Sequence, residues 1–234
     1  MKAIVLAAGK GVRMLPLTED RPKVLVEVLG RPFLWYVLKN LRDAGVRETG
    51  LIVGYKKEKV EEFVEGLKET LPELKITMIE QKEQLGTAHA TALAKHFVGN
   101  ETFLSINGDN LYSPRDLKEL MEERENTIAA VKVADPSRYG VLEIKGDRLI
   151  KIIEKPKEPP SNLINTAAYV FTYEIFDAIE NIEKSERGEF EITDAITLLA
   201  NQGNVKIHII KDYWKDFGKK EDIPLIEDFL KKLG

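Results

Sequence analysis

Short apolar runs alternate with amphipathic segments through the first half of the chain. Residues 3–7 read Ala-Ile-Val-Leu-Ala without a polar residue, which is typical of a strand buried on both faces. Runs of the same kind occur at residues 51–53, 76–79, 103–106 and 128–131. Strands that alternate with helices predict an α/β fold with a mostly parallel sheet and helices on both faces.

The segments between these runs have helical spacing. Val60, Phe63, Val64 and Leu67 recur at the intervals that place side chains on one helix face. Further helices are predicted at residues 32–45, 113–124, 174–179 and 192–200, and at a C-terminal segment that aligns Ile226, Phe229, Leu230 and Leu233.

The pattern changes in the second half of the chain. Apolar residues at 141–144 and 149–153 flank a Gly-Asp pair and predict a β-hairpin. A loop with several prolines follows at 156–160, and another strand is predicted at 164–171. No linker, repeat or low-complexity stretch divides the 234 residues. We therefore expect one domain, whose second half folds back over the binding edge of the sheet.

The composition excludes several classes of protein. The chain has no cysteine, which rules out disulfide frameworks, thiolate metal sites and cysteine nucleophiles. A net charge of -4 argues against nucleic acid as a partner. No apolar run is long enough to span a membrane, and the N-terminus lacks a secretory apolar region. We expect a cytoplasmic protein with no membrane partner, and its many Lys and Glu residues favour a thermophilic source.

A glycine-rich loop follows the first predicted strand. Residues 6–14 read Leu-Ala-Ala-Gly-Lys-Gly-Val-Arg-Met, and such small residues let backbone N–H groups approach a phosphate. Lys10, Arg13 and Lys23 could neutralise its charge. The P-loop and dinucleotide patterns both require glycine where this chain has Met14. Spacing alone leaves two readings open, a phosphate site and a plain strand-to-helix turn.

The whole string from Leu6 to Lys23 resembles the signature of the sugar-phosphate nucleotidyltransferases, Leu-Ala-x-Gly-x-Gly-x-Arg, a spacer and Pro-Lys. Further matching elements follow in the family's order: Gln81, residues 85–88, Gly108-Asp109, Tyr139-Gly140, Glu154-Lys155-Pro156, Asn165-Thr166 and Trp214-x-Asp216-x-Gly218. The resemblance implies a Rossmann-like fold of the nucleotide-diphospho-sugar transferase type. It also implies a nucleotide-binding part at about 1–135, and a sugar-binding part with a C-terminal helix at about 136–234.

The resemblance implies that an NTP and a sugar 1-phosphate form an NDP-sugar and pyrophosphate, with Mg²⁺ as cofactor. Arg13 and Lys23 would be catalytic, and Asp109 and Asp216 would bind the metal. For Asp109 a turn-forming role is the alternative, and after Asp216 the chain departs from the family's usual Thr-Pro. The implied nucleotide-binding residues are Leu6, Ala7, Ala8, Gly9, Lys10, Gly11, Gln81, Gly86 and Thr87.

The sugar side is implied by a second set of residues, namely Tyr139, Gly140, Glu154, Lys155 and Asn165. Lys155 would contact the sugar phosphate, while Glu154 and Asn165 would bind sugar hydroxyls. An exposed, solvated ion pair is the alternative for Glu154 and Lys155. The family usually has glycine where this chain has Ala167, and the added methyl could narrow the sugar pocket.

The base is expected to meet Gln81, whose amide suits the donor–acceptor edge of a pyrimidine, and the backbone of Gly86 and Thr87. This stretch resembles UTP-dependent members most closely, so we favour UTP or dTTP with glucose or N-acetylglucosamine 1-phosphate. His89 is expected to be structural. The alternatives are a mannose-1-phosphate guanylyltransferase or cytidylyltransferase of the same fold, a glycosyltransferase, and a non-catalytic sugar-nucleotide-binding protein. Oligomeric state is open, a homo-oligomer included.

Overall fold

Strands and helices alternate in the computed structural model, which describes residues 1–233. The strands are β1 (Lys2–Leu6), β2 (Glu27–Val28), β3 (Arg31–Pro32), β4 (Glu48–Val53), β5 (Lys75–Glu80), β6 (Phe103–Asn107), β7 (Asn110–Tyr112), β8 (Thr127–Lys132), β9 (Gly140–Lys145), β10 (Arg148–Glu154), β11 (Leu163–Phe171), β12 (Lys206–Ile209) and β13 (Trp214–Asp216). The helices are α1 (Phe33–Asp43), α2 (Lys57–Thr70), α3 (Thr87–Ala92), α4 (Lys95–Val98), α5 (Pro114–Leu120), α6 (Glu174–Ile179), α7 (Ile192–Asn201) and α8 (Asp222–Leu233).

The central sheet has the order β5-β4-β1-β6-β11-β8-β12-β10-β9. Strands β5, β4, β1 and β6 are parallel, as predicted for the first half of the chain. The sheet as a whole is mixed, because β11 runs antiparallel to both β6 and β8, and β9 and β10 form the predicted hairpin. The α/β fold is confirmed, with four parallel strands on the side that carries the glycine-rich loop and one further parallel pair, β8 with β12, in the other half of the sheet.

Both faces of the sheet are covered by apolar clusters. Val5 belongs to the cluster with α1, and its neighbour Ile4 belongs to the cluster with α7 on the opposite face. Phe33 stacks on Phe217 in the first cluster, with ring centroids 4.3 Å apart. Successive strand residues point to opposite faces, so burial on both faces explains the continuous apolar run of β1.

Two short strands that the hydrophobic pattern did not predict carry much of the site. β7 and β13 form a separate antiparallel pair in which Asp216 lies opposite Asn110. The helix predicted to reach Arg124 ends at Leu120. None of the helices within residues 1–233 has the length and apolarity needed to cross a membrane.

Candidate active site

The glycine-rich loop leaves the carboxyl end of β1 with its backbone donors unused. Among the described residues, no acceptor is paired with the N–H groups of residues 8–12. Gly11 has a φ of 63°, and a Cβ there would lie 2.6 Å from the Lys23 Cβ. Glycine is therefore required for Lys23 to pack against the loop. Converging N–H groups of this kind form an anion-binding concavity.

A cavity of about 330 Å³ opens beside this loop. Most of the predicted nucleotide-binding and catalytic residues line it, together with one predicted metal ligand: Leu6, Ala7, Ala8, Gly9, Gly11, Arg13, Lys23, Gln81, Gly86, Thr87 and Asp109. Lys10 is exposed and does not line this cavity. The structure thus brings together segments that are far apart in the chain.

Lys23 and Asp109 form an ion pair in the floor of this cavity, between Nζ and Oδ2. Their side chains are only 12% and 22% exposed. Charges that are this well shielded from water interact more strongly than a surface pair. The Lys23 ammonium and the Asp109 carboxylate therefore both lie where they could contact a charged ligand in this cavity.

The pairing of β7 with β13 brings the second predicted metal ligand to the first. The Phe217 N–H donates to the Asp109 carbonyl at 2.9 Å. The Trp214 indole donates to Asn110 Oδ1 at 2.7 Å, and Asn110 donates to Asp109 Oδ1 at 2.9 Å. Gly218 lines the cavity, and a Cβ there would lie 3.2 Å from Asp216 Oδ2. Asp216 therefore lies just behind the cavity wall.

The environment of Asp216 fits a divalent cation. Burial, together with the nearby charge of Asp109, raises the pKa of Asp216 to about 6. A cation next to both carboxylates would offset that repulsion, and carboxylate oxygens suit Mg²⁺. Within residues 1–233 no group of three or more His, Cys, Asp or Glu forms a metal site. Further ligands would have to be phosphate oxygens or water.

Gln81 also lines the first cavity and is buried. Its Nε2 donates to the Gly86 carbonyl at 3.1 Å and lies 3.0 Å from His89 Nδ1. Its Oε1 accepts no hydrogen bond from any residue in the described part of the chain. The amide donors are thus used within the protein, and the amide acceptor is left for a ligand.

A second cavity, of about 490 Å³, lies next to the first. Glu154, Asn165 and Ala167 line it, and Asn165 Nδ2 donates to the Tyr169 hydroxyl at 2.8 Å. A Cβ on Gly140 would lie 3.3 Å from Glu154 Oε2, so a larger residue there would move the Glu154 carboxylate by a few tenths of an ångström. The wall is completed by residues 185–187 and 191–194.

Thr87 and Asn107 line both cavities. The Phe190 N–H donates to the Leu85 carbonyl at 2.7 Å, which ties the wall of the second cavity to the loop that precedes α3. A Cβ on Gly86 would lie 2.4 Å from the Phe190 carbonyl. Gly86 therefore allows the two segments to touch.

Three predicted sugar-side residues, Tyr139, Gly140 and Lys155, do not line either cavity. Tyr139 packs edge-on against Trp214, with ring centroids 5.9 Å apart. The Lys155 side chain is 63% exposed, and its Nζ lies 3.3 Å from Glu154 Oε1. The exposed ion pair considered as the alternative for Glu154 and Lys155 is thus present, although Glu154 also lines the second cavity.

Sequence reasoning missed several lining residues. Gln84 donates to the Ala8 carbonyl at 2.7 Å, and Glu189 and Asn107 also line the first cavity. The string Glu-Phe-Glu-Ile-Thr-Asp at 189–194 enters both walls. The polar residues of this string come just before or at the start of the helix predicted at residues 192–200. Polar side chains at the start of a helix were the only sequence signal that could have indicated these lining residues.

A glycine-rich loop with free backbone N–H groups, beside a cavity at the carboxyl edge of an α/β sheet, is typical of proteins that bind phosphate-bearing ligands. The chain belongs to the nucleotidyl transferase family, whose model matches residues 2–232.

Two named relatives each match 95% of the chain. The chain is 40% identical over 231 residues to the UTP–glucose-1-phosphate uridylyltransferase AglF of Haloferax volcanii, covering 95% of this chain and 93% of AglF. It is 40% identical over 226 residues to the bifunctional protein GlmU of Methanococcus maripaludis, covering 95% of this chain and 53% of that protein. For several of the curated relatives it matches, the chain spans only 53 to 64% of their length.

A protein of solved structure has the same fold as this chain. A UDP-glucose pyrophosphorylase in complex with UDP-glucose superposes with a TM-score of 0.89 at 24% identity, covering 100% of this chain and 99% of that one. This similarity, together with the family match, confirms the fold type that the sequence resemblance implied.

Proposed function

We propose that this chain is a sugar-1-phosphate nucleotidyltransferase that uses UTP or dTTP. The observation that carries the proposal is the joining of two cavities at Thr87 and Asn107, one beside an anion loop and one lined by Glu154 and Asn165. The name of AglF, a UTP–glucose-1-phosphate uridylyltransferase, supports the same class of substrates. Two ligands held side by side can react without a covalent intermediate.

The triphosphate would lie against the loop. The unpaired N–H groups of residues 8–12 provide several donors, and Arg13 is exposed at the rim of the same cavity. A guanidinium can bind two phosphate oxygens at once. Arg13 would therefore hold the part of the triphosphate that leaves as pyrophosphate.

The chemical step joins two anions. A phosphate oxygen of the sugar 1-phosphate forms a bond to the α-phosphorus of the NTP, the bond to the β-phosphate oxygen breaks, and pyrophosphate leaves with that electron pair. Lys23 lies in the floor of the first cavity. Its ammonium would neutralise charge that builds up on the α-phosphate. No side-chain nucleophile is needed, because the attacking oxygen is already charged.

Asp109 and Asp216 would hold Mg²⁺, which when bound draws the two phosphates together and screens their charge. Lys23 lies next to the same carboxylates. When Mg²⁺ occupies the carboxylates, the Lys23 ammonium would donate its hydrogen bonds to phosphate oxygens instead of to Asp109.

The base would contact Gln81 Oε1 and the Gly86 N–H, which has no partner among residues 1–233. One acceptor and one donor match the ring N–H and adjacent carbonyl of uracil or thymine. Cytosine presents the opposite pattern. Guanine shares the uracil pattern on a larger ring, so the guanylyltransferase alternative differs from this proposal in the size of the base.

The sugar would occupy the second cavity. Glu154 can accept hydrogen bonds from its hydroxyls, and Asn165 can accept or donate. A role for Tyr139, Gly140 and Lys155 in holding the sugar phosphate stays a prediction, because all three lie outside the cavity lining.

One feature of β7 argues against the glycosyltransferase alternative. Those enzymes generally place a second carboxylate two residues after the first at this sheet edge. Here that position is Leu111, which is fully buried in β7. The second carboxylate comes instead from β13, in the arrangement proposed for nucleotidyl transfer.

A matrix of the four common NTPs and dTTP against several sugar 1-phosphates, with Mg²⁺ and a pyrophosphate readout, tests the proposal. We expect the highest kcat/KM with UTP or dTTP and with glucose or N-acetylglucosamine 1-phosphate. If none of the sugar 1-phosphates in the panel supports pyrophosphate release, the proposal is contradicted. A preference for GTP or CTP would contradict the assigned base.

A further inference from the structure

His89 contacts the residue that faces the proposed base. It lies on α3, partly exposed, and its Nδ1 is 3.0 Å from Gln81 Nε2. This contact bears on the direction in which the Gln81 amide points. The inference rests on the proposed function, because it concerns how Gln81 recognises the base.

The Gly86 carbonyl decides the orientation of the Gln81 amide. It lies 3.1 Å from the terminal amide atom assigned as Nε2. If the amide were turned over, Oε1 would face the carbonyl oxygen, and two acceptors would repel. The amide nitrogen therefore points towards Gly86 and His89.

His89 uses the remaining hydrogen of that nitrogen. An amide nitrogen carries two hydrogens and has no acceptor capacity. Because Nε2 must donate, His89 Nδ1 accepts, which places the ring hydrogen on His89 Nε2. Gly86 and His89 together use both donors of Gln81. A buried amide restrained at two points cannot turn its nitrogen to a ligand without losing both hydrogen bonds.

We propose that His89 is a positioning residue that makes Gln81 an acceptor only, so that the site takes a base with a ring N–H and rejects cytosine. Cytosine has an unprotonated ring nitrogen at the same place, which would face Oε1 acceptor to acceptor. Without His89, the Gln81 amide could rotate and donate to cytosine by giving up one hydrogen bond instead of two. The expected effect is thus a loss of selectivity.

The test compares His89→Leu with His89→Asn, whose side-chain oxygen can again accept from Gln81. His96→Asn, at an exposed position on α4, is the matched control. The readouts are equilibrium affinity for UTP and CTP, and kcat/KM for each, in the full chain. We expect His89→Leu to lower the UTP-to-CTP ratio roughly tenfold, mainly through KM. His89→Asn should restore most of the ratio, and His96→Asn should leave it unchanged.

An unchanged affinity ratio in a folded His89→Leu protein would overturn the inference, and so would an equal loss of ratio in His89→Asn. The affinities are measured without turnover. Absence of pyrophosphate release in the wild type therefore counts against the proposed function alone, and the affinity ratio still decides the role of His89.

Discussion

The Thr87 hydroxyl oxygen accepts a hydrogen bond from the backbone N–H of Ile192 at 2.9 Å, across 105 residues of sequence. Thr87 opens α3 beside the first cavity, and Ile192 opens α7 in the wall of the second. The loop that would hold the base and the wall that would hold the sugar are therefore one hydrogen-bonded unit.

Thr87→Val should uncouple the two cavities. Valine keeps the shape of threonine but cannot accept from Ile192, so a buried N–H loses its partner at a cost of about 1–3 kcal/mol. We expect KM to rise for both NTP and sugar 1-phosphate, with kcat less affected. Thr87→Ser keeps the hydroxyl and should stay close to wild type. A KM change for the NTP alone would show that the wall moves independently of the loop.

Gly86→Ala should damage the same junction more severely. Gly86 has a φ of 104°, and the new Cβ would lie 2.4 Å from the Phe190 carbonyl. Strain at such a position typically costs about 1–3 kcal/mol. Thermal unfolding should show a clear loss of stability. Gly66→Ala, inside α2 with no atom near its added Cβ, is the control and should stabilise by up to about 1 kcal/mol. Equal unfolding midpoints for the two variants would refute the clash.

Lys23→Met should lower kcat by about two orders of magnitude or more, because it removes a positive charge from the proposed reacting phosphate. Arg13→Met, at the exposed rim, should mainly raise KM for the NTP. Steady-state kinetics with both substrates varied separates the two effects. Near-normal kcat in a folded Lys23→Met protein would remove Lys23 from the catalytic step.

Asp216→Asn should weaken Mg²⁺ binding in the presence of the nucleotide sugar, since it removes one of two carboxylates. Calorimetric titration with Mg²⁺ measures this directly. Asp228→Asn, on the exposed side of α8, controls for the loss of a negative charge elsewhere. If metal affinity in Asp216→Asn equals that of the wild type, Asp109 binds the metal with some other ligand.

The sequence allowed the first half of the fold to be predicted because β1, β4 and β6 are buried on both faces and leave continuous apolar runs. β5, at the edge of the sheet, keeps a short apolar run although its residues are half-buried or exposed. β7 and β13 are three residues each and contain the polar residues Asn110 and Asp216, so no periodicity marks them. Their pairing is a long-range contact that local patterns do not encode.

The candidate site divides in the same way. The anion loop was predictable, because it is a continuous segment that follows a buried strand. The orientation of Gln81 was not, because it depends on His89 and the Gly86 carbonyl in three dimensions. The prediction that Gln81 would both donate to and accept from the base therefore changes, since its donors are used within the protein.

Ala167 is strained in the wall of the second cavity. Its φ is 60°, in a β11 segment where the pairing with β8 shifts between Asn165 and Tyr169. Its N–H donates to Asn165 Oδ1 at 2.8 Å, which holds this backbone in place. A left-handed conformation costs an alanine about 1–2 kcal/mol, and glycine would avoid that cost.

Ala167→Gly should therefore raise the free energy of unfolding by up to about 1 kcal/mol, after the greater entropy of unfolded glycine is subtracted. The same change removes a methyl from a residue that lines the proposed sugar cavity, so kcat/KM for N-acetylglucosamine 1-phosphate should rise relative to glucose 1-phosphate. Ala168→Gly is the matched control. Ala168 is fully buried and has no positive φ, so removal of its methyl group should only lower the free energy of unfolding. Denaturant unfolding and paired kinetics measure both effects. If Ala167→Gly is as destabilising as Ala168→Gly, the strain is refuted. If stability rises without a change in sugar preference, the methyl does not limit the substrate.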